Sequence, residues 1–115
     1  MEEKKLYVIG IGPGAREQMT VRADRILRES QVIIGYTVYV DLVKEFYPQA
    51  EFLTTPMRQE KERCEMALKA AQDGRKTAMI CSGDSGVYGM AGLILELSAQ
   101  YPGVEIKIIP GVTAA

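Results

Sequence analysis

The sequence predicts an α/β domain built on an open, mostly parallel five-stranded sheet with helices on both faces. Short apolar runs such as Leu6–Ile11 alternate with segments in which apolar residues recur at helical spacing. Nearly continuous apolar strands are typical of parallel sheets that helices cover on both sides. The chain has 115 residues, without an internal repeat or a low-complexity segment, which is the size of one ordinary domain.

Local signals set the predicted boundaries of the elements. Thr20 is placed to cap a helix that runs through Ser30. A proline at position 48 requires the next helix to end before it, and Gly74 stands where a glycine commonly follows a helix. The strands are therefore predicted at 6–11, 31–35, 52–54, 76–81 and 104–109, and the helices at 20–30, 37–46, 59–73 and 85–100.

Composition narrows the classes of function. The net charge is −1 and no basic run occurs, so we expect no nucleic-acid partner. No apolar run is long enough to cross a bilayer, and the first residues lack the apolar core of a secretory signal, which favours a cytoplasmic protein without a membrane partner. Histidine is absent and the two cysteines have no CxxC partner. We therefore predict no metal site and no imidazole base.

Three glycine-containing turns follow predicted strands: Gly10–Gly14, Ser82–Gly86 and Pro110–Thr113. The carboxyl ends of parallel strands meet at one edge of a sheet, and ligands bind in the crevice outside that edge. Because glycine lets the main chain approach a ligand closely, the convergence of three such turns predicts a ligand site at this edge.

The first two turns, and Cys81 before the second of them, also have less specific interpretations. Residues 10–15 satisfy the dinucleotide fingerprint G-x-G-x-x-G/A, but Pro13 removes an amide donor and the second strand ends in Ile34-Gly35-Tyr36, without an acid for a ribose. The glycines can also serve only a tight turn. Asp84 can act purely as the N-cap of the following helix, and Cys81 as a small buried hydrophobe.

The motifs GIGPG (10–14), SGDSGVYGMAG (82–92) and PGVTA (110–114) resemble those of the tetrapyrrole methylase family. Two further stretches, Gly35–Leu42 and Met57–Arg63, resemble the family members that methylate C17 of precorrin-3B in corrin synthesis. The resemblance extends over nearly the whole chain. Other tetrapyrrole methylases and diphthine synthase share the three turns, and a nucleotide-binding module without transfer activity is the alternative from another class.

The resemblance implies S-adenosylmethionine as co-substrate and a tetrapyrrole, precorrin-3B or cobalt-factor III, as methyl acceptor. It implies a homodimer of two-domain subunits with the ligands between the domains, in which residues 1–115 form the N-terminal domain and the second domain is absent from this chain. No catalytic acid or base is identified. By motif, the donor-contacting residues are Pro13, Gly83, Asp84, Val87, Thr113 and Ala114, and Gly12 and Gly14 face the substrate.

A tetrapyrrole substrate carries several carboxylates, so the site is expected to offer cations. Arg58 follows the third predicted strand, at the same edge as the glycine turns, and is the predicted carboxylate clamp. An ordinary solvated arginine at the start of a helix is the alternative. Lys61 and Arg63 lie within the next helix and are predicted to be on the surface.

Overall fold

The computed structural model describes residues 4–11, 20–56 and 58–109, with side chains except at 82–88. Strands and helices alternate along the chain, and short 3₁₀ turns, Lys44–Phe46 and Ser98–Gln100, follow the second and fourth helices. The elements are β1 (Lys4–Ile11), α1 (Val21–Glu29), β2 (Val32–Tyr36), α2 (Thr37–Val43), β3 (Glu51–Thr55), α3 (Glu60–Gln72), β4 (Thr77–Ser82), α4 (Gly83–Leu97) and β5 (Val104–Ile109).

The five strands form one sheet in the order β3-β2-β4-β1-β5. Every pair of neighbours is parallel, and the register pairs Ile11 with Ser82 and Tyr36 with Thr55. The predicted α/β class is confirmed, and the sheet is parallel throughout rather than mostly so. The crossovers from β1 to β2 and from β2 to β3 run in one direction across the sheet, whereas those from β3 to β4 and from β4 to β5 run in the other. The direction of the crossovers therefore reverses once, after β3.

The reversal places helices on both faces, because parallel crossovers are almost always right-handed. On one face, α1 and α2 bury Ala23, Leu27 and Val40 against Ile33 and Ile80. On the other face, α3 and α4 cover residues of the opposite parity in the same strands. The two-sided burial explains why the strands read as continuous apolar runs in the sequence. The core of the second face includes Leu6, Val8, Val32, Ile34, Cys64, Leu68, Met79, Cys81 and Ile94.

Capping interactions confirm two of the predicted helix boundaries. The Thr20 hydroxyl accepts a hydrogen bond of 3.1 Å from the Ala23 amide, so Thr20 caps α1. At the end of α3, Gly74 has φ 88°, a conformation that glycine adopts without the steric cost of a Cβ. The amides of Gly74 and Arg75 donate to the carbonyls of Ala71 and Ala70, the pattern of a Schellman motif.

Other boundaries differ from the prediction. β3 spans five residues, Glu51–Thr55, instead of three. α4 begins at Gly83, directly after the last residue of β4, and not at position 85. Asp84 is therefore the second residue of the helix, and its prediction as N-cap is wrong. An acid in the first turn is still favoured there by the helix dipole.

Gly35, in β2, lies beside the side chain of Ile80 from the neighbouring strand β4. A Cβ at this position would stand 2.6 Å from Cγ1 of Ile80, closer than carbon atoms pack in protein interiors. This glycine is thus required by packing between β2 and its neighbour β4.

Candidate functional site

Three neighbouring strands, each followed in the sequence by a glycine-containing turn, end at one edge of the sheet. β1 ends at Ile11, β4 at Ser82 and β5 at Ile109, and the order β4-β1-β5 makes them adjacent. Because Ile11 pairs with Ser82, the carboxyl ends of β1 and β4 are level, and β5 ends two residues short of them, where Ile109 pairs with Ile9. The predicted convergence of the strand ends is confirmed.

The connections after β1 and β4 continue on opposite faces of the sheet. β1 leads to α1, which packs on one face, while β4 leads directly into α4 on the other. In open α/β sheets, a crevice forms between adjacent strands whose connections separate in this way, and ligands bind there. The structure therefore has the topology of a ligand site at the edge that the sequence indicated.

The motif residues predicted at this edge fall largely outside the described part of the structure. Gly12, Pro13, Gly14, Thr113 and Ala114 lie outside the described residues. Gly83, Asp84 and Val87 belong to the first turns of α4, but their side chains also lie outside the description. The contacts assigned to these residues stay predictions.

Arg58 lies in the short connection between β3 and α3 and is exposed. Its φ is 69°, in the left-handed region that costs a non-glycine residue about 1–2 kcal/mol. Its side chain forms no ion pair or hydrogen bond with the described residues. The position of Arg58 at the carboxyl edge is as predicted, and its role as a carboxylate clamp stays a prediction.

Arg63 is buried, and its prediction as a surface residue is wrong. It is only 8 % exposed, and its Nε donates a 2.7 Å hydrogen bond to Oγ1 of Thr55, which is itself 4 % exposed. Thr55 is the last residue of β3, so this bond holds the guanidinium at the carboxyl edge of the sheet. Lys61, two positions earlier, is exposed as predicted.

The spacing along α3 contains the signal that identifies Arg63 as buried. Arg63 precedes Ala67 by one helical turn and Ala70 by two, and both alanines are buried against the sheet. Residues at i, i+4 and i+7 share one face of a helix. The charge of Arg63 favours a surface position, because arginine is seldom buried unless it is paired, and the prediction followed the charge.

Two buried thiols lie near the same guanidinium. Burial raises the pKa of Cys64 to about 11, and the positive charge of Arg63 partly offsets that rise. Burial likewise raises the pKa of Cys81 to about 12, again with an opposing effect of Arg63. Both cysteines are free thiols and stay protonated at neutral pH. The interpretation of Cys81 as a small buried hydrophobe is confirmed, and the interior around Arg63 is poorly solvated.

Aromatic side chains flank the end of β2. The rings of Tyr36 and Tyr39 meet edge to face, with centroids 5.7 Å apart and an interplanar angle of 75°. The Thr37 hydroxyl lies 3.5 Å from the carbonyl oxygen of Thr55, to which it donates a hydrogen bond. α2 and β3 are thereby tied together at the edge where Arg63 is anchored.

The described residues contain neither a metal-binding cluster nor a helix that could cross a membrane. Within residues 4–11, 20–56 and 58–109, no group of three or more acidic or cysteine side chains is arranged to hold a metal ion. Among the helices of the described ranges, none combines the length and apolar character that a membrane crossing needs.

An open cleft of about 660 Å³ lies at the opposite, amino edge of the sheet. Gln31 and Lys76, which precede β2 and β4, line it together with Lys5 at the start of β1. The largest apolar pocket is often the first hypothesis for a binding site, but this cleft is polar and distant from the glycine turns. We therefore place the functional site at the carboxyl edge, where the topology provides a crevice.

Comparison with known proteins gives consistent results. The family model of "Tetrapyrrole (Corrin/Porphyrin) Methylases" matches residues 5–115. A Salmonella typhimurium protein named "Probable cobalt-factor III C(17)-methyltransferase" is 48% identical over 111 residues, which cover 96% of this chain and 46% of that relative. The chain thus spans about half the length of this relative.

Solved structures agree with the sequence relatives. The crystal structure of the methyltransferase CobJ superposes with a TM-score of 0.79 at 35% identity, covering 95% of this chain and 46% of that one. A uroporphyrin-III C-methyl transferase from Thermus thermophilus, complexed with S-adenyl homocysteine, gives 0.70 at 26% identity over 96% and 46% of the two chains. With a family match over nearly every residue and the same sheet in solved members, the chain belongs to the tetrapyrrole (corrin/porphyrin) methylases.

Proposed function

We propose that the protein to which these residues belong transfers a methyl group from S-adenosylmethionine to C17 of a tetrapyrrole, either cobalt-factor III or precorrin-3B. The observation that carries the proposal is the 48% identity to a relative named for C17 methylation of cobalt-factor III. The stretches Gly35–Leu42 and Met57–Arg63, which resemble those of the C17-methylating family members, support the same choice.

The carboxyl edge fits S-adenosylmethionine as the methyl donor. The crevice between β1 and β4 is bordered by the amino end of α4, which begins at Gly83 directly after the strand. The Thermus thermophilus relative was crystallised with the demethylated form of this donor. We propose that Pro13, Gly83, Asp84, Val87, Thr113 and Ala114 hold the donor, with Gly12, Gly14 and Arg58 toward the macrocycle.

The chemistry suits a site without imidazole. The sulfonium supplies a methyl group that is already activated, so transfer depends mainly on in-line alignment with the accepting carbon. Orientation of bound reactants lowers a barrier by several kcal/mol, up to about 7–11 kcal/mol in well-aligned cases. The absence of histidine from these 115 residues is compatible with that requirement. We further propose that methylation accompanies ring contraction and displacement of C20.

The remaining proposals concern the whole protein. A second domain is proposed to close the crevice from the other side, since these residues span only 46% of the Salmonella relative. We propose that the complete enzyme is a homodimer in the cytoplasm, as the family resemblance implies. Size-exclusion chromatography with light scattering tests the dimer.

The function is tested on the full-length protein by two measurements. Calorimetry with S-adenosylhomocysteine is expected to show binding, whereas ATP and NAD are expected not to bind. Incubation with ¹³C-methyl-labelled donor and cobalt-factor III is expected to place the label at C17, read by NMR. Binding of ATP or NAD in place of S-adenosylhomocysteine would favour the nucleotide-binding module. Methylation of uroporphyrinogen III instead of cobalt-factor III would point to another reaction of the family.

A further inference from the structure

Arg63 has unused hydrogen-bonding capacity. A guanidinium carries five N–H donors and no acceptor. Only the Nε donor of Arg63 has a partner in the described part of the chain, the hydroxyl of Thr55. The four Nη donors have none among these residues, although the side chain is 8 % exposed.

Such an arrangement is unfavourable in the isolated domain. A buried charge is costly unless it is paired, and buried donors are normally satisfied. The nearest acids in sequence, Glu62, Glu65 and Glu60, form no ion pair with Arg63 in the described structure. Glu60 and Glu62 are exposed, and Glu65 is half-buried. Thr55 is neutral, so it satisfies one donor without compensating the charge.

The surroundings add positive potential and exclude water. α3 begins at Glu60 and α4 at Gly83, so the amino ends of both helices lie at the carboxyl edge. Helix amino ends carry a partial positive charge and attract anions. Cys64 and Cys81 are buried in this region, at 0 % and 5 % exposure. Burial raises the pKa of both thiols, and the charge of Arg63 opposes that rise.

We infer that Arg63 is a carboxylate-binding residue of the site, whose Nη donors receive a carboxylate of a ligand at the carboxyl edge. The planar fork of arginine matches a carboxylate with two parallel hydrogen bonds. Thr55 sets the orientation of the guanidinium by holding Nε, which leaves the Nη side for the ligand. The inference rests on the proposed function for the identity of the ligand.

Two ligands of that function carry carboxylates. The tetrapyrrole has several on its periphery, and S-adenosylmethionine has one on its amino-acid portion. In both ligands the group that Arg63 would bind is a carboxylate. The test therefore compares each acid with an uncharged or decarboxylated counterpart, so that the two sources are separated.

The experiment uses the full-length protein with three variants. Arg63→Met removes the charge and keeps most of the apolar stem. Arg63→Lys keeps the charge without the planar fork. Lys69→Met is the matched control, because Lys69 is an exposed cation on the same helix. Dissociation constants are measured for cobalt-factor III and its methyl ester, and for S-adenosylhomocysteine and its decarboxylated analogue.

The preference of the protein for an acid is the ratio of two dissociation constants, that of the counterpart without the carboxylate and that of the acid. Arg63→Met is expected to reduce this ratio for one of the two ligands by about 10- to 100-fold, the range for a hydrogen bond to a charged group. A loss confined to cobalt-factor III assigns Arg63 to the macrocycle, and one confined to S-adenosylhomocysteine assigns it to the donor. Lys69→Met is expected to change neither preference.

Other results overturn the inference. Unchanged preferences in Arg63→Met, with a lower melting temperature, would make Arg63 a purely structural residue. If Arg63→Met does not fold, unchanged preferences in Arg63→Lys lead to the same conclusion. A wild-type protein that prefers neither acid over its counterpart also overturns it. Absence of turnover with cobalt-factor III contradicts the proposed function alone, because the comparison with S-adenosylhomocysteine still tests Arg63.

Discussion

The two edges of the sheet use their polar groups differently. At the amino edge, the side-chain oxygen of Gln31 accepts a 2.9 Å hydrogen bond from the Lys76 amide, and Arg75 pairs with Glu51 at 2.5 Å. At the carboxyl edge, Arg63 is more deeply buried than any of these residues, yet most of its donors lack a partner among the described residues.

The two edges also differ in backbone conformation. Gly74, near the amino edge, adopts its positive φ as a glycine within a complete Schellman motif. Arg58, at the carboxyl edge, adopts a positive φ without that advantage. Strain and unsatisfied polar groups concentrate at functional sites, where a ligand compensates for them. The comparison supports the proposal of a ligand site at the carboxyl edge, whereas the polar groups named at the amino edge are paired within the domain.

The largest expected effect tests whether the region around Arg63 is closed to water. An unfolded thiol loses its proton near pH 9.0, whereas folded Cys64 and Cys81 keep theirs to about pH 11 and 12. Above pH 9 the unfolded state therefore binds fewer protons, and the free energy of unfolding falls by about 1.4 kcal/mol per pH unit for each thiol. Urea unfolding between pH 8 and 10.5 measures this slope.

The control for the pH experiment is the double variant Cys64→Ala/Cys81→Ala. All other ionisable groups are common to both proteins, so the difference between the two slopes isolates the thiols. Identical slopes would show that the thiols are solvated in the folded state, and the contrast between the edges would lose its basis.

Two substitutions at Arg58 separate the effect of its guanidinium on binding from the effect of its positive φ on stability. Arg58→Ala and Arg58→Gly both remove the charge, and each is expected to raise the KM for the tetrapyrrole by about tenfold or more with the affinity for S-adenosylhomocysteine unchanged. Only glycine relieves the positive φ, so Arg58→Gly should be more stable than Arg58→Ala by up to about 1 kcal/mol.

The result that contradicts the role of Arg58 is an unchanged KM in both variants. In that case Arg58 is a solvated residue of the connection to α3, the alternative that its exposure also permits. Equal losses of affinity for the tetrapyrrole and for S-adenosylhomocysteine would indicate a disturbed fold instead.

Asp84→Asn tests the donor site at the start of α4. We expect about tenfold weaker binding of S-adenosylhomocysteine, equivalent to about 1.4 kcal/mol, measured by calorimetry. Because Asp84 lies in the first turn of the helix, loss of its charge should cost only about 0.3–1 kcal/mol of stability. Unchanged affinity for the donor would restrict Asp84 to a favourable interaction with the helix dipole.

Gly74→Ala, in contrast, is expected to lower the stability of the fold without changing the affinity for the donor. A Cβ at φ 88° should lower the free energy of unfolding by about 1–2 kcal/mol, measured by urea unfolding. The affinity for S-adenosylhomocysteine should not change, because Gly74 lies near the amino edge.

The exposed pair of Arg75 and Glu51 offers a milder control at the same edge. Arg75→Ala should lower the free energy of unfolding by less than about 1 kcal/mol. A loss of donor affinity in Gly74→Ala would contradict the division between the edges.

Sequence and structure agree where local patterns decide the outcome. The alternation of apolar runs and helical periodicity predicted the fold class and the order of all nine elements, because burial on both faces requires apolar residues at every strand position. The caps at Thr20 and Gly74 followed from side-chain and backbone chemistry within a few residues. The meeting of the carboxyl ends of β1, β4 and β5 at one edge followed from the parallel direction of the strands.

The tertiary structure alone decided the strand order and the burial of Arg63. The order β3-β2-β4-β1-β5 depends on which strands pair over long sequence separations, and no local pattern specifies those pairs. Arg63 is buried because its face of α3 packs against the sheet, and Thr55 from another element accepts its Nε hydrogen bond. The sequence by itself determined that a helix runs through Arg63. It did not determine the burial of Arg63, because the charge favours the surface whereas the position on the helix favours the core, and only packing decided between them.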